Sequence, residues 1–146
     1  DGQDKEARWN MMMASTEGAM AFSKGLGAVH SMSHAAGANQ ELRLHHGTLN
    51  AVILPSVLRF NRNYVGDKYS RILRAMGKNQ SSDLANEIEK LNEKIGMPGS
   101  LAEMGVTEDM IPELIAHAMT DPSNITTPRV PDLDEWEKLF LEAINK

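Results

Sequence analysis

Leu84, Ile88, Leu91 and Ile95 recur at offsets of four, three and four residues, with Glu87, Glu89, Lys90, Glu93 and Lys94 between them. This period gathers the apolar side chains on one face of a helix and the charges on the other. A strand cannot use it, because a strand switches faces at every residue. The same period runs through most of the chain, while alternating apolar and polar residues are almost absent. Ala, Met, Leu, Glu and Lys, all good helix formers, dominate, and Phe, Trp and Tyr together make only 5%. These features predict an all-α helical bundle.

Start and stop signals divide the chain. A helix is expected over 83–95, capped by Ser81 or Ser82 and ended by Gly96 and Pro98. Asp132 with Glu135 three residues later is a capping-box pattern; it opens a last helix with Leu133, Trp136, Leu139 and Phe140 as its buried stripe. Thr107, Glu108 and Asp109 open another over 108–119, with Pro112 near its first turn. Further helices are expected over 47–62, bent by Pro55, and over 66–76. Residues 121–131 hold three prolines and predict a structured loop. Met11, Met12, Met13 and Met20 mark a soft apolar helix face expected to pack into the core. No repeat or interdomain linker divides residues 1–146, which predicts a single helical domain.

Fifteen basic against 20 acidic side chains leave a net charge of -5, which argues against non-specific nucleic-acid binding. The absence of cysteine excludes disulfides, thiolate metal sites and a catalytic Cys, and fits a cytoplasmic protein. The longest apolar run, Ala51-Val-Ile-Leu, stops at Pro55, far short of the ~18 residues of a membrane helix. The chain starts at Asp1 without Met, mid-pattern, and is expected to be a fragment.

Four of the five histidines, His30, His34, His45 and His46, lie within seventeen residues. His30 and His34 are one helical turn apart, so both imidazoles project from one face. That is a spacing with which helices build metal sites, and equally one found in polar patches. Glycines and other small residues around the pair (Gly25, Gly27, Ala28, Ala35, Ala36, Gly37) let a helix or ligand approach the backbone closely. His117 lies far along the sequence, on the 108–119 helix, and reads as a partly exposed helix residue.

The stretches Gly25-Leu-Gly-Ala-Val-His30-Ser-Met-Ser-His34-Ala-Ala-Gly37 and His45-His46-Gly47-Thr-Leu-Asn50-Ala-Val-Ile-Leu-Pro55 resemble the histidine signature of the iron-containing (group III) alcohol dehydrogenases. The likeness continues through Phe60-Asn61, the Ile95–Pro112 region and Pro128-Arg129, nearly the whole chain. It implies the helical catalytic part of an NAD- or NADP-dependent enzyme that transfers hydride between an alcohol and an aldehyde or ketone. In this family one Asp and three His hold Fe2+, sometimes Zn2+. His30 matches the first histidine of the signature and His46 its last ligand. His34 matches a histidine that does not ligate but faces the same cavity, where it relays a proton or contacts the nicotinamide ribose.

Two residues more than in some branches separate His34 from His46, so His45 competes with His46 as ligand; Gly47 anchors the match on His46. Thr127 stands where the family often has Asn, and Ser56 where many members have His. The resemblance also implies what this chain does not supply. The glycine-rich cofactor half belongs upstream, as do an Asp and a His one helical turn apart; before His30 the only aspartates are Asp1 and Asp4, and there is no histidine. The expected partners are therefore that cofactor half and a small alcohol or aldehyde, with no nucleic acid and no membrane, and a homo-oligomer where the uncovered face drives self-association. Expected of the isolated chain is an incomplete, inactive site. The alternative is a stand-alone helical binding module that has lost the chemistry. A zinc polyol dehydrogenase or a dehydroquinate-type synthase is a third reading within the same superfamily.

Overall fold

The computed structural model describes residues 2–146; Asp1, one of the two early aspartates, lies outside the described residues. Among these residues there are seven α-helices and no strand: α1 (Lys5–Phe22), α2 (Ala28–Gly37), α3 (His46–Asn61), α4 (Lys68–Ala75), α5 (Leu84–Lys94), α6 (Ile111–Thr120) and α7 (Leu133–Ile144). Short 3₁₀ turns connect several of them. The chain is all-α, as its periodicity requires.

The core lies between α2, α3, α6 and α7. Helix α2 packs against both α3 and α6, and α3 also meets α5 and α7. Met32, Leu49, Ile53, Leu101, Trp136 and Phe140 are fully buried there. Arg59 ties three helices together from α3, its guanidinium donating to Glu142 of α7 at 2.8 Å and Glu89 of α5 at 2.7 Å. Arg129 stacks on Phe60 at 4.1 Å and forms a two-bond pair with Glu135, fixing the segment before α7.

Several local expectations meet their physical limits. The capping box of α7 forms as read, with Glu135 N–H donating to Asp132 Oδ1 at 2.9 Å and Asp132 N–H to Glu135 Oε2 at 3.0 Å. Leu133, expected in the buried stripe of α7, is exposed. Helix α5 is capped by Asp83, not by Ser81 or Ser82; Ser81 spends both its N–H and its hydroxyl on Asn79. The stripe of α5 is only partly buried. Its C-terminal half meets α3 through Asn92, whose amide donates to the Ala51 carbonyl at 2.7 Å. One residue is about 100° around a helix, so Leu91 is turned away and both it and Ile95 are exposed. Glu87, placed by the period on the charged face, is buried and paired with Lys78 and Lys90. The segment after Thr107 begins as a 3₁₀ turn, Glu108–Met110, and becomes α-helical only at Ile111. Pro112 explains this: it has no N–H to donate, and in an α-helix its ring would strike the carbonyl four residues back.

Helix α1 departs furthest. Met11, Met12, Met13 and Met20 were expected in the core, yet all are exposed and α1 buries no residue. Three consecutive methionines sweep 200° around the helix axis, so the apolar residues form no single stripe that could seat on the bundle.

Candidate metal centre

Helix α2 carries His30 and His34, and His46 is the first residue of α3. The connection between them turns back sharply. Asn39 Oδ1 accepts from the N–H groups of Glu41 and Leu42 at 3.0 and 3.1 Å, and Arg43 takes a left-handed backbone conformation at φ 48°. The three imidazoles meet as a result. Ring centres lie 5.2 Å apart for His30 and His46, 5.3 Å for His34 and His46, and 5.7 Å for His30 and His34. The Phe22 ring closes on His30 edge-on at 6.2 Å.

The rings do not play equal parts. Two imidazoles on one ion at metal–nitrogen distances near 2.0–2.1 Å have centres about 5 Å apart and planes inclined to each other. The His30–His46 pair, inclined by 57°, has that disposition. His34 lies nearly parallel to His46, at 18°, a stacking that keeps in-plane lone pairs from converging. Its Nδ1 is engaged with Asp121 Oδ2 at 2.8 Å. His45 is used elsewhere: it is the N-cap of α3, its Nδ1 accepting from the Thr48 N–H at 3.3 Å. Among the described residues no group of three His, Cys, Asp or Glu side chains is disposed to hold a metal ion. The donor set therefore offers a divalent ion two imidazoles.

Burial lowers the protonation of both candidate ligands. His30 is held below the ordinary histidine value by desolvation first, and then by His46 and His34; Asp121 opposes this weakly. His46 is likewise lowered by burial, and then by His34 and His45. Neutral imidazole is the form that ligates. Asn50, one turn along α3, sets its side-chain amide 3.0 Å from His46 Nε2 and orients that ring. Beside His30 opens a cleft of about 390 Å³ lined by Leu26, Val29, Leu54 and Val57.

Sequence reading missed Asp121 and Asn50. Asp121 opens the Asp-Pro turn, a signal that points to capping, and 87 residues separate it from His34. His117 is exposed on α6, as expected, but it is not remote in space. It shares with His34, Thr120, Asp121 and Pro122 a depression of about 320 Å³, because α6 packs against α2.

Residues 1–144 match the family model described as "Fe-containing alcohol dehydrogenase family, C-terminal". The chain is 43% identical over 151 residues to the 4-hydroxybutyrate dehydrogenase of Cupriavidus necator, covering 99% of this chain and 40% of that protein. It is 33% identical over 149 residues to the lactaldehyde reductase of Escherichia coli K12, covering 96% and 38%. Among solved structures, the alcohol dehydrogenase from Oenococcus oeni superposes with a TM-score of 0.90 at 26% identity, over 98% of this chain and 39% of that one. The chain thus spans about two fifths of the length of these relatives.

Proposed function

The chain belongs to the Fe-containing alcohol dehydrogenase family, and from that membership we propose that it is the metal-holding helical part of an NAD(P)-dependent alcohol dehydrogenase acting on a small alcohol or aldehyde. The observation that carries the reading is the facing pair of His30 and His46, inclined at 5.2 Å across the α2–α3 junction. In this reading both are ligands of Fe2+ or Zn2+, residues 1–146 form one partial catalytic domain, and the cofactor half with two further ligands comes from sequence outside this chain. When bound, the ion supplies Lewis acidity toward the alcohol or carbonyl oxygen.

The chain's own residues prepare that chemistry. Burial keeps His30 and His46 neutral near physiological pH, and Asn50 fixes the plane of His46. The cleft beside His30 takes the carbon chain of the substrate against Leu26, Val29, Leu54 and Val57 and excludes water from it. His34, anchored through Nδ1 to Asp121, keeps its second nitrogen for a proton. Orientation of the nicotinamide, a large share of such catalysis, falls to the other half.

The purified chain should show no NAD- or NADP-linked alcohol oxidation and should hold Fe2+ or Zn2+ weakly. His30→Ala should remove that residual binding, while His117→Ala should leave it unchanged. Chelator-sensitive turnover by this chain alone would contradict the division of labour, as would metal affinity indifferent to His30. The genomic sequence upstream of Asp1 gives a second check. A glycine-rich cofactor half followed by an Asp and a His one helical turn apart supports the enzyme, and a coding frame without them supports a stand-alone binding module.

A further inference from the structure

The carboxylate of Asp121 serves two elements at once. It sits where α6 ends and caps the following 3₁₀ turn, Pro122–Thr126, its Oδ1 accepting from the Ser123 N–H at 2.8 Å. Its other oxygen, Oδ2, accepts from His34 Nδ1 at 2.8 Å. Burial works to raise this carboxyl, but hydrogen bonds from Ser123 and His34 outweigh it and hold it below the usual carboxylate range.

The turn that carries Asp121 is bolted to the helix that carries His34. Ser31, between His30 and His34 on α2, donates its hydroxyl to Asn124 Oδ1 at 2.8 Å, and Asn124 Nδ2 donates to the Ala118 carbonyl at 2.6 Å; both bonds are buried. Thr126 donates its hydroxyl to the Leu26 carbonyl just before α2. Gly25, at φ 106°, lies so close to Thr126 that any Cβ there would strike the threonine side chain. An exposed ion pair contributes little to stability and needs no buried frame. This one has a frame on either side, which fixes the carboxylate relative to α2 to within the tolerance of three hydrogen bonds.

We propose that Asp121 is a positioning residue for His34: through Oδ2 it selects the Nδ1–H tautomer, leaves Nε2 free of a proton, and holds the ring stacked on His46 instead of turned to a metal. A carboxylate that fixes a histidine's tautomer decides which nitrogen meets the reacting partner. The inference rests on the reading of His34 as the proton-handling group of this cavity, but its test needs neither metal nor turnover.

The test is nitrogen-15 NMR of the histidine rings in the labelled chain at about pH 8, where imidazoles are neutral. His34 should appear almost wholly as the Nδ1–H form in the native chain and shift to mostly Nε2–H, the form free histidine favours, in Asp121→Ala. Asp121→Asn keeps an oxygen for the Ser123 cap but lacks the charge, and should also lose the Nδ1–H preference if the carboxylate sets it. Asp121→Glu should restore part of it. A native His34 in the Nε2–H form would overturn the proposal, and so would an Nδ1–H form that survives in both Asp121→Ala and Asp121→Asn. Failure of the metal reading appears separately, as metal affinity indifferent to His30.

Discussion

Helices α1 and α7 are both well started, and only one of them is part of the bundle. Helix α1 is the longer, 18 residues against 12, and Asp4 caps it with two hydrogen bonds. Yet α1 buries nothing, while α7 buries Trp136, Leu139, Phe140, Ala143 and Ile144. The two tryptophans record the difference: Trp136 is 0% exposed and Trp9 63%. The apolar residues of α7 fall at offsets of three, four, seven and eight, one continuous stripe, whereas those of α1 are scattered around its axis. Caps and propensity start a helix; a stripe is what commits it to a core. With Trp9, Met11, Met12 and Met20 all exposed, α1 also leaves apolar surface open to another chain.

The comparison can be broken most directly at Phe140. Phe140→Ala should cost about 3–5 kcal/mol, read as a lower urea midpoint; a loss under about 1 kcal/mol would deny that α7 anchors the core. Removing the α7 cap with Asp132→Ala should cost about 1 kcal/mol by the same measurement. Acid should act on the bundle too. Hydrogen bonds from Lys90 and Lys78 hold the Glu87 carboxyl below the ordinary value, and those from Arg129 and Asp132 do the same for Glu135. A carboxyl lowered in the folded state stabilises above its unfolded value, near pH 4.5, and that contribution is lost as pH falls through the folded value. Stability should therefore decline below about pH 4.5, and Glu87→Gln should flatten the decline. The smallest effect belongs to α1: Trp9→Ala should change stability by no more than about 0.5 kcal/mol. In Trp136→Phe, acrylamide should quench the remaining Trp9 freely, and strong protection would show that α1 is covered.

What the sequence discloses follows the range of the interaction. The α7 capping box and the shared face of His30 and His34 span three or four residues, so spacing alone shows them. Spacing alone left His45 competing with His46, and it did not show that His45 is the residue that caps α3. Asp121 was illegible: only the packing of α2 on α6 brings it to His34 across 87 residues. The methionines of α1 misled because apolar character predicts burial only where the residues share a stripe.

The claim that His30 and His46 are two ligands of one ion has a direct measurement. The chain loaded with Zn2+ and examined by X-ray absorption should show about two imidazole nitrogens near 2.0–2.1 Å, the rest of the shell being water or buffer oxygen. His30→Ala and His46→Ala should each lower the count to about one, and His45→Ala should leave it at two. A count unchanged in His30→Ala and His46→Ala, or lowered only by His45→Ala or His117→Ala, would contradict the account.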